Sequence, residues 1–511
     1  MRKFGPETIW PPISHTVHGP LTEWDAWYRG EQTLRSVYAA DPQPTGRKWL
    51  ARGNRERLFW QHPRVEQRPK LHMPLANDIA ASSAALLFAE EVEIDWGGGN
   101  ETVLGKLLDG NDFHALLVEA AELASAVGGV FLRASWDSDI ADHVLITTVG
   151  QDHVLPTFRY GRLTEAIVWS VVREQDAEVW RHLEYHEKGV VRHELRRGTS
   201  SMLGSVEPLT SIPATNGLPD SVPTGIDGLA VEYVPNILPT PIWRGDPDGH
   251  YLGRSDYGVK GVLGFMDALD EAWSSWMRDL RLGKARVMVA SQMLESAGPG
   301  AGATVDLDRE VYEGVRFAQG ENVSLRDMVH SQQFSIRHLE HAATVEALMN
   351  VIVRASGYSG QTFGLTPDVP KTAREVTAVE RKSAETRERK TRYWSASLER
   401  FLSRVVQMQN TYFENAGEVE PHILFPPESE PSELDRASAV QAFRAAEVMS
   451  IETGVKMAQP DLTPSEVAEE VARIEAEREA AMPVAGDAFM DGTEDDGAAD
   501  PGAAGDAPQG D

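Results

Sequence analysis

From Lys371 to Glu414 the chain runs for forty-four residues without a glycine or a proline, with Pro367 and Pro370 just before the run and Gly417 just after it. Nothing inside the run breaks a helix, and both ends carry stop signals, so the stretch predicts one long helix. Its start reads as a capping box. Thr372 can accept from the amide of Glu375 while the Glu375 carboxylate reaches back to the amide of Thr372. The two halves differ in character: residues from Lys371 to Arg392 are nearly all charged or small, whereas Trp394, Leu398, Phe401, Val405, Met408 and Tyr412 recur at three- and four-residue steps and need covering. A helix buried at one end and polar at the other reaches out of its own domain. For the polar half alone, a solvated helix laced with i,i+4 ion pairs explains the composition equally well.

At 511 residues and 41% hydrophobic, the remaining chain can bury a large core in two to four domain-sized units. Leu21 to Gly30 predicts a short helix with Thr22 as N-cap, and Ala76 to Glu91 a second. Val92 to Trp96 alternates as a strand, and Asp112 to Val127 is a third helix that ends at Gly128-Gly129. Then Val130 to Trp136, His143 to Val149, Leu163 to Arg173, Val179 to Lys188 and Val190 to Arg197 read as consecutive strands. Helices followed by an antiparallel sheet make an α+β fold. Gly198 to Asp227 predicts an exposed loop and Pro235 to Asp248 a Pro-rich connector. Ser255 to Leu282 predicts a long helix, with Phe265, Met266, Leu269, Trp273, Trp276, Met277 and Leu280 at helical spacing. Arg286 to Ala290 is a strand, with further short strands at Thr304 to Asp308, Val315 to Phe317 and around Val323. Ser335 to Ser356 returns to helix and stops at Gly357 and Gly360. Ser432 to Met449 and Thr463 to Met482 are the last helices. Residues 483–511 hold eight acids and no Lys or Arg, and predict disorder.

Chemistry-bearing patterns are sparse. Gly97-Gly98-Gly99 lacks the strand-to-helix GxGxxG context, and Gly298-Pro-Gly-Ala-Gly302 lacks the Gly-Lys-Ser/Thr of a phosphate cradle. His182, Glu184, His186 and Glu187 suggest a metal cluster. On a strand, however, residues 182, 184 and 186 share a face in an order unlike the helical HExxH pair, and alternating polar residues describe a solvated sheet face. Asp267, Asp270, Glu271 and Asp279 occupy the polar side of a core helix with no His, Lys or metal motif beside them. No catalytic residue, metal or cofactor is therefore assigned. With 49 Lys and Arg against 78 Asp and Glu, the formal charge is −29, which argues against a protein that wraps nucleic acid by neutralising phosphates. There is no Cys and hence no disulfide framework. The start, Met1-Arg-Lys-Phe, lacks the apolar run of a signal peptide, and no apolar run is long enough to span a membrane.

Several segments, in order, resemble the portal proteins of tailed double-stranded-DNA phages. They are Lys70-Leu-His-Met-Pro-Leu-Ala-Asn-Asp78 with Phe88, Gly253-Arg-Ser-Asp-Tyr257 through Trp273, Trp276 and Lys284-Ala-Arg286, and Ala355-Ser-Gly-Tyr-Ser-Gly-Gln-Thr-Phe-Gly364. Thr372-Ala-Arg-Glu-Val376, Lys382-Ser383, Thr386-Arg387, Lys390 and Tyr393-Trp394 follow. The resemblance implies an N-terminal wing (1–254), a first stem helix (255–283), a small β-containing clip (284–334) and a second stem helix (335–356). After them come a tunnel loop (357–371), a long helix (372–416), an α-helical crown (417–482) and the acidic tail. It implies a homo-oligomeric ring of twelve subunits at one capsid vertex of the virion, assembled in the host cytoplasm. Double-stranded DNA would pass through it without sequence specificity, and the major capsid protein, the terminase large subunit and a head–tail connector would dock on it. The role would be mechanical, with no enzyme activity and no membrane contact. The residues add that Gly357, Gly360 and Gly364 give the loop backbone freedom, while Pro367 and Pro370 stop either flanking helix from running through it. Phe363 at its centre would line the channel or else pack on the following helix, and Lys371 and Arg374 are candidate phosphate partners. A closed ring needs two different complementary surfaces. The charged half of the long helix, with Arg381, Arg387 and Arg389, is one candidate, and the acidic side of Ser255 to Leu282 is the other. Two other readings are a metal-dependent nucleic-acid-processing enzyme with scattered acids around two ions, and a non-ring capsid scaffold or adaptor.

Overall fold

A computed structural model of the chain describes residues 4–40, 58–61, 70–283, 286–290, 312–315, 329–332, 337–365, 373–426, 433–446, 448–459, 462 and 464–481. The chain divides into two compact units between Glu428 and Ser429.

The first unit opens with helices α1 (His15–Arg29), α2 (Glu31–Ala40), α3 (Leu58–Gln61) and α4 (Leu75–Phe88). Helix α1 starts six residues before the expected Leu21, so Thr22 is not its cap; the Thr22 hydroxyl donates to the His18 carbonyl, at 3.0 Å, inside the helix. Pro20 lies inside the helix and cannot donate to the carbonyl four residues back. Here that carbonyl, of Thr16, accepts from Trp243 Nε1 at 2.9 Å instead, and the helix continues.

Strand β1 (Glu93–Asp95) precedes α5 (Glu101–Asp109) and α6 (Phe113–Val127). Helix α5 was not expected; Asn100 caps it by accepting from the Thr102 amide at 3.1 Å. Then come β2 (Gly129–Ser135), β3 (Leu145–Gly150), β4 (Val154–Arg159), β5 (Arg162–Gln175), β6 (Glu178–Glu187), β7 (Val190–Gly198), β8 (Ser205–Glu207), β9 (Ser221–Pro223) and β10 (Val231–Pro235). They form two sheets, β10-β2-β3 and β4-β5-β6-β7-β8, with β9 also on β7; all their pairs are antiparallel. Gly198 to Asp227 is not simply an exposed loop. It carries β8 and β9 and buries Leu203, Leu209, Ile212 and Ile226, because its few apolar residues fall where the sheet needs covering.

Helix α7 (Val262–Leu282) begins seven residues after the expected Ser255, behind Gly261 with φ 92°, and the turn before it buries Ser255 and Asp256 completely. Strands β11 (Arg286–Ala290), β12 (Tyr312–Val315) and β13 (Val329–Gln332) follow, with β11 parallel to β12 and antiparallel to β13. The strand expected at Thr304 to Asp308 lies outside the described residues. Helix α8 (His338–Ser356) packs on α7, α9 spans Ala373–Tyr412, and β14 (His422–Leu424) pairs antiparallel with β1. The second unit holds α10 (Glu433–Ala445), α11 (Ile451–Ala458) and α12 (Pro464–Ala481); the acidic tail lies outside the described residues.

Two large cores organise the first unit. One gathers Trp24, Trp27 and Trp243 with residues of α4, α7 and α8. The other packs α4, α5 and α6 and the β10-β2-β3 sheet against Trp394, Leu398, Phe401, Val405 and Met408 of α9. These are five of the six apolar positions that the periodicity of α9 singles out, and all five are buried; the sixth, Tyr412, is half-buried and packs against this core.

Candidate functional site

Three pieces of chain meet at one buried charge pair: the turn entering α7, the turn leaving α8, and the middle of α9. Lys390 Nζ donates to Asp256 Oδ2 and Ser83 Oγ, both at 2.6 Å, and to the Tyr358 hydroxyl at 3.1 Å. All three ammonium protons thus have partners. Asp256 also accepts from Tyr358 at 2.7 Å, Ser125 at 2.5 Å and Asn236 at 2.9 Å. Burial pushes the Asp256 carboxyl up, but Lys390 and the other donors outweigh it and hold the group below its ordinary value. Lys390 is 1% exposed, so the polar half of α9 is not wholly solvated. The residue lies four before Trp394 and eight before Leu398, on the buried stripe itself, and that register was the sequence signal for it.

The first part of the expected tunnel loop is tied to α9. The Gly357 carbonyl accepts from Thr386 Oγ1 at 2.6 Å and the Ser359 amide donates to Ser383 Oγ at 3.0 Å. Thr362 and Ser383 hydroxyls lie 2.9 Å apart. Gly357 and Gly364 use the left-handed region, at φ 106° and 65°, whereas Gly360 has φ −63°, open to any residue. Phe363 sits in a short 3-10 turn, edge-on to Tyr358 with centroids 6.0 Å apart, and packs against the first core. Lys371, Pro367 and Pro370 lie outside the described residues, as does the Thr372 half of the capping box. Arg374 falls within α9.

The structure separates the three arginines expected at an interface. Arg381 is exposed and, among the described residues, pairs along its own helix, with Glu385 at 3.0 Å. Arg387 clamps its own chain, donating from Nε to the Leu86 carbonyl and from a terminal nitrogen to that of Pro426, both at 2.7 Å. Arg389 donates to the Leu238 carbonyl. Of the four acids on the polar side of α7, Glu271 is exposed, while Asp267, Asp270 and Asp279 are engaged within the chain. Asp267 caps α3 by accepting from the Phe59 and Trp60 amides at 2.9 and 3.0 Å, and burial pushes its carboxyl up to about 6. Asp270 accepts from Trp60 Nε1 at 2.9 Å and the Met73 amide at 2.8 Å, with His72 Nδ1 at 2.9 Å. Asp279 binds Arg337 and His341 at 2.9 and 3.0 Å. Periodicity marked these acids as the polar side of the helix; packing sets Asp267 and Asp270 on backbone amides that would otherwise be unsatisfied and Asp279 on Arg337 and His341.

Strand β6 does place His182, Glu184 and His186 on one face, but that face is buried: His186 is 1% exposed. Arg133 of β2 grips Glu184, its NH1 lying 3.0 and 2.9 Å from the two oxygens, and His186 Nε2 lies 3.3 Å from one of them. His193 on β7 stands directly opposite Glu184, with its Nδ1 3.1 Å from His182 Nε2. Among the described residues His182, Glu184 and His193 lie close enough to hold a metal ion. The donor set speaks against one, because the Glu184 charge is already matched by Arg133 and a dication would stand beside that guanidinium. A single proton between the two imidazoles satisfies their contact. Burial lowers all three histidines. Burial would raise Glu184, but the His186 hydrogen bond and the Arg133 charge hold it down to about 2. Glu187 takes no part and pairs with Arg192 at 2.9 Å.

Residues 18–484 match the family described as phage portal protein, SPP1 Gp6-like. No curated protein matches the chain. Solved structures that resemble it include the neck of the native GTA particle computed with C12 symmetry, at 15% identity and TM-score 0.37, covering 85% of this chain and 100% of that one. The neck of the empty GTA particle computed with C6 symmetry also resembles it, at 15% identity and TM-score 0.32, covering 76% and 90%.

Proposed function

This chain belongs to the SPP1 Gp6-like phage portal proteins, and from that premise we propose that it acts as a ring, of about twelve copies, through which double-stranded DNA enters and leaves one vertex of the virion. The observation that carries the reading is the match across residues 18–484. The junction of Asp256, Tyr358 and Lys390 suits it, since a channel element must be fixed to the rest of the subunit if it is to resist a moving DNA. On this reading α7 and α8 are the stem helices, β11, β12 and β13 belong to the clip, and the loop 357–371 meets the channel beyond its buried Tyr358 and Ser359, with Lys371 and Arg374 toward phosphates. The terminase large subunit, the major capsid protein and a head–tail connector are the proposed partners, and the ring assembles in the host cytoplasm. The work is mechanical. The commitment of Asp267, Asp270 and Asp279 to protein donors supports this over a two-metal nuclease site on α7.

Mass photometry and negative-stain microscopy of the full chain test the reading. Twelve chains of 56.3 kDa give particles near 0.68 MDa with a central opening. A population that stays monomeric, or forms only open assemblies, at every concentration would overturn it.

A further inference from the structure

We propose that the tip of the β4–β5 hairpin is a contact surface through which one copy of this chain binds an acidic face of a second copy. This rests on the ring reading above and names one of the two unlike surfaces that a closed ring requires. Tyr160 and Gly161 alone separate Arg159 from Arg162, which stand opposite each other in the ladder. Their φ angles are 49° and 76°, so the hairpin closes in a two-residue turn with both residues left-handed. Such a turn calls for Asn, Asp or Gly, because a bulky L residue is strained there. The next hairpin of the same sheet meets the demand with Asp176, at φ 56°. Tyr160 meets it with an ill-suited residue, and its side chain gains nothing from its own chain: it is fully exposed and, among the described residues, makes no hydrogen bond or ring contact. Two like charges directly opposite on adjacent strands add a second local cost. Local rules broken without a return inside the subunit point to a return outside it.

The tip is aimed and held. Thr164 is an extra residue in β5 opposite the Thr157–Phe158 step, a bulge that bends the hairpin near its end, and its hydroxyl donates to the Thr157 carbonyl at 3.0 Å. Tyr251 supports the turn, its ring 5.5 Å from that of Phe158 and its Cε1 3.6 Å from where a Cβ on Gly161 would stand. A surface fixed in advance loses less freedom on binding. Charge selects what it meets. Residues 156–164 carry Arg159 and Arg162 and no acid. Both arginines are exposed, and neither pairs with a carboxylate among the described residues. Asp227 lines the same groove as Arg162 but has its own cation in Lys188, at 2.6 Å. The chain as a whole is −29, and it exposes acids without bases: residues 90–101 hold Glu90, Glu91, Glu93, Asp95 and Glu101, all exposed, and no Lys or Arg. Copies so charged repel each other except where unpaired cations of one face carboxylates of the next. Tyr and Arg are also the residue types that anchor protein interfaces. Two arginines make too short a row to hold a DNA backbone, whose binding rests on many phosphate contacts.

The test uses the full chain with three changes at the tip: Tyr160→Asn, which keeps the turn and removes the phenol, Arg159→Glu, and Tyr160→p-benzoylphenylalanine as a photo-crosslinker. Tyr160→Asn should raise the thermal midpoint of the dilute subunit, because the turn is relieved, and yet raise the concentration for half-assembly about tenfold. Arg159→Glu should weaken assembly, more at low salt than at high salt. Irradiated particles of the crosslinker chain should yield a product of twice the chain mass, linked from the tip to an acid-bearing peptide of another copy. A Tyr160→Asn or Arg159→Glu chain that assembles like the parent overturns the tip contact and spares the ring reading, as do rings whose crosslinks stay inside one chain or run to added DNA. A lowered midpoint for Tyr160→Asn would place the phenol in its own subunit and overturn the contact as well. A parent chain that forms no assembly overturns both.

Discussion

Taking the amine away from Lys390 would leave the Asp256 carboxylate fully buried without its counter-charge. Lys390→Met should therefore cost about 3–5 kcal/mol, the range for breaking a buried pair, read as a lower urea midpoint with an unchanged slope. Adding Asp256→Asn to Lys390→Met should restore part of the loss, because the uncompensated charge is gone; a double variant as unstable as the sum of both singles would mean the pair is not coupled. The histidine cluster makes a second prediction. His182, His186 and His193 have folded values below the ordinary 6.5, so the unfolded chain takes up protons first as the pH falls through about 6.5. Glu184, held near 2 against an ordinary 4.5, adds stability above 4.5 that is lost as the pH drops toward 2. The sign is the same for all four groups. The cluster's share of stability should fall between pH 7 and pH 5, by up to about 1.4 kcal/mol per pH unit for each proton taken up, while Asp267, raised to about 6, works the other way, so the cluster is read as the difference between the parent and His186→Gln. A difference independent of pH across that window would remove the cluster from the balance. The strand alternation identified which residues share the face, but their burial depends on Arg133, fifty residues away on another sheet, and no local pattern carries that.

Among the elements, the loop that follows α8 sorts its glycines by backbone rather than by number. Gly357 and Gly364 have φ 106° and 65°, where a Cβ costs about 1–2 kcal/mol, and a Cβ on Gly357 would also stand 3.0 Å from Thr386 Oγ1. Gly360 is at φ −63°, and an added Cβ meets only Asn350 Oδ1 at 3.0 Å and Leu365 Cβ at 3.6 Å. Alanine at 357 or 364 should lower the unfolding midpoint clearly, and alanine at 360 by less than either. The reverse order would show that the loop does not hold these angles in solution. Helix α9 and the strands from β5 to β7 could be read in the sequence because each is long, periodic and bounded by its own turn residues. The start of α7 could not, since Ser255 and Asp256 look like ordinary helix-start polar residues until Asn236, Tyr358 and Lys390 are brought to them. The start of α1 was hidden in a similar way: the donor that replaces the missing amide of Pro20 comes from Trp243.

For the whole molecule, a chain of −29 must close a ring against its own repulsion, and the arginines of α9 differ in what they can contribute to that. Deleting residues 483–511, with eight acids and no base, should leave the unfolding midpoint unchanged, because such a segment cannot offset its ordering entropy. Arg381→Glu loses the exposed pair with Glu385, about 0.3–0.5 kcal/mol, so subunit stability should barely move. Assembly should weaken more at low than at high salt, because exposed charges interact over about 8 Å at physiological ionic strength and over less as salt rises. Arg387→Glu breaks two bonds to the carbonyls of Leu86 and Pro426 and sets a carboxylate against them. It should cost about 2–4 kcal/mol within one subunit, with little dependence on salt. Measuring both variants by urea midpoint and by assembly at two salt concentrations separates a contact between chains from a clamp within one. If Arg381→Glu assembles equally well at every salt concentration, Arg381 lies outside the interface; if Arg387→Glu leaves the subunit as stable as the parent, its clamp on α4 and Pro426 is not what holds that end of the long helix.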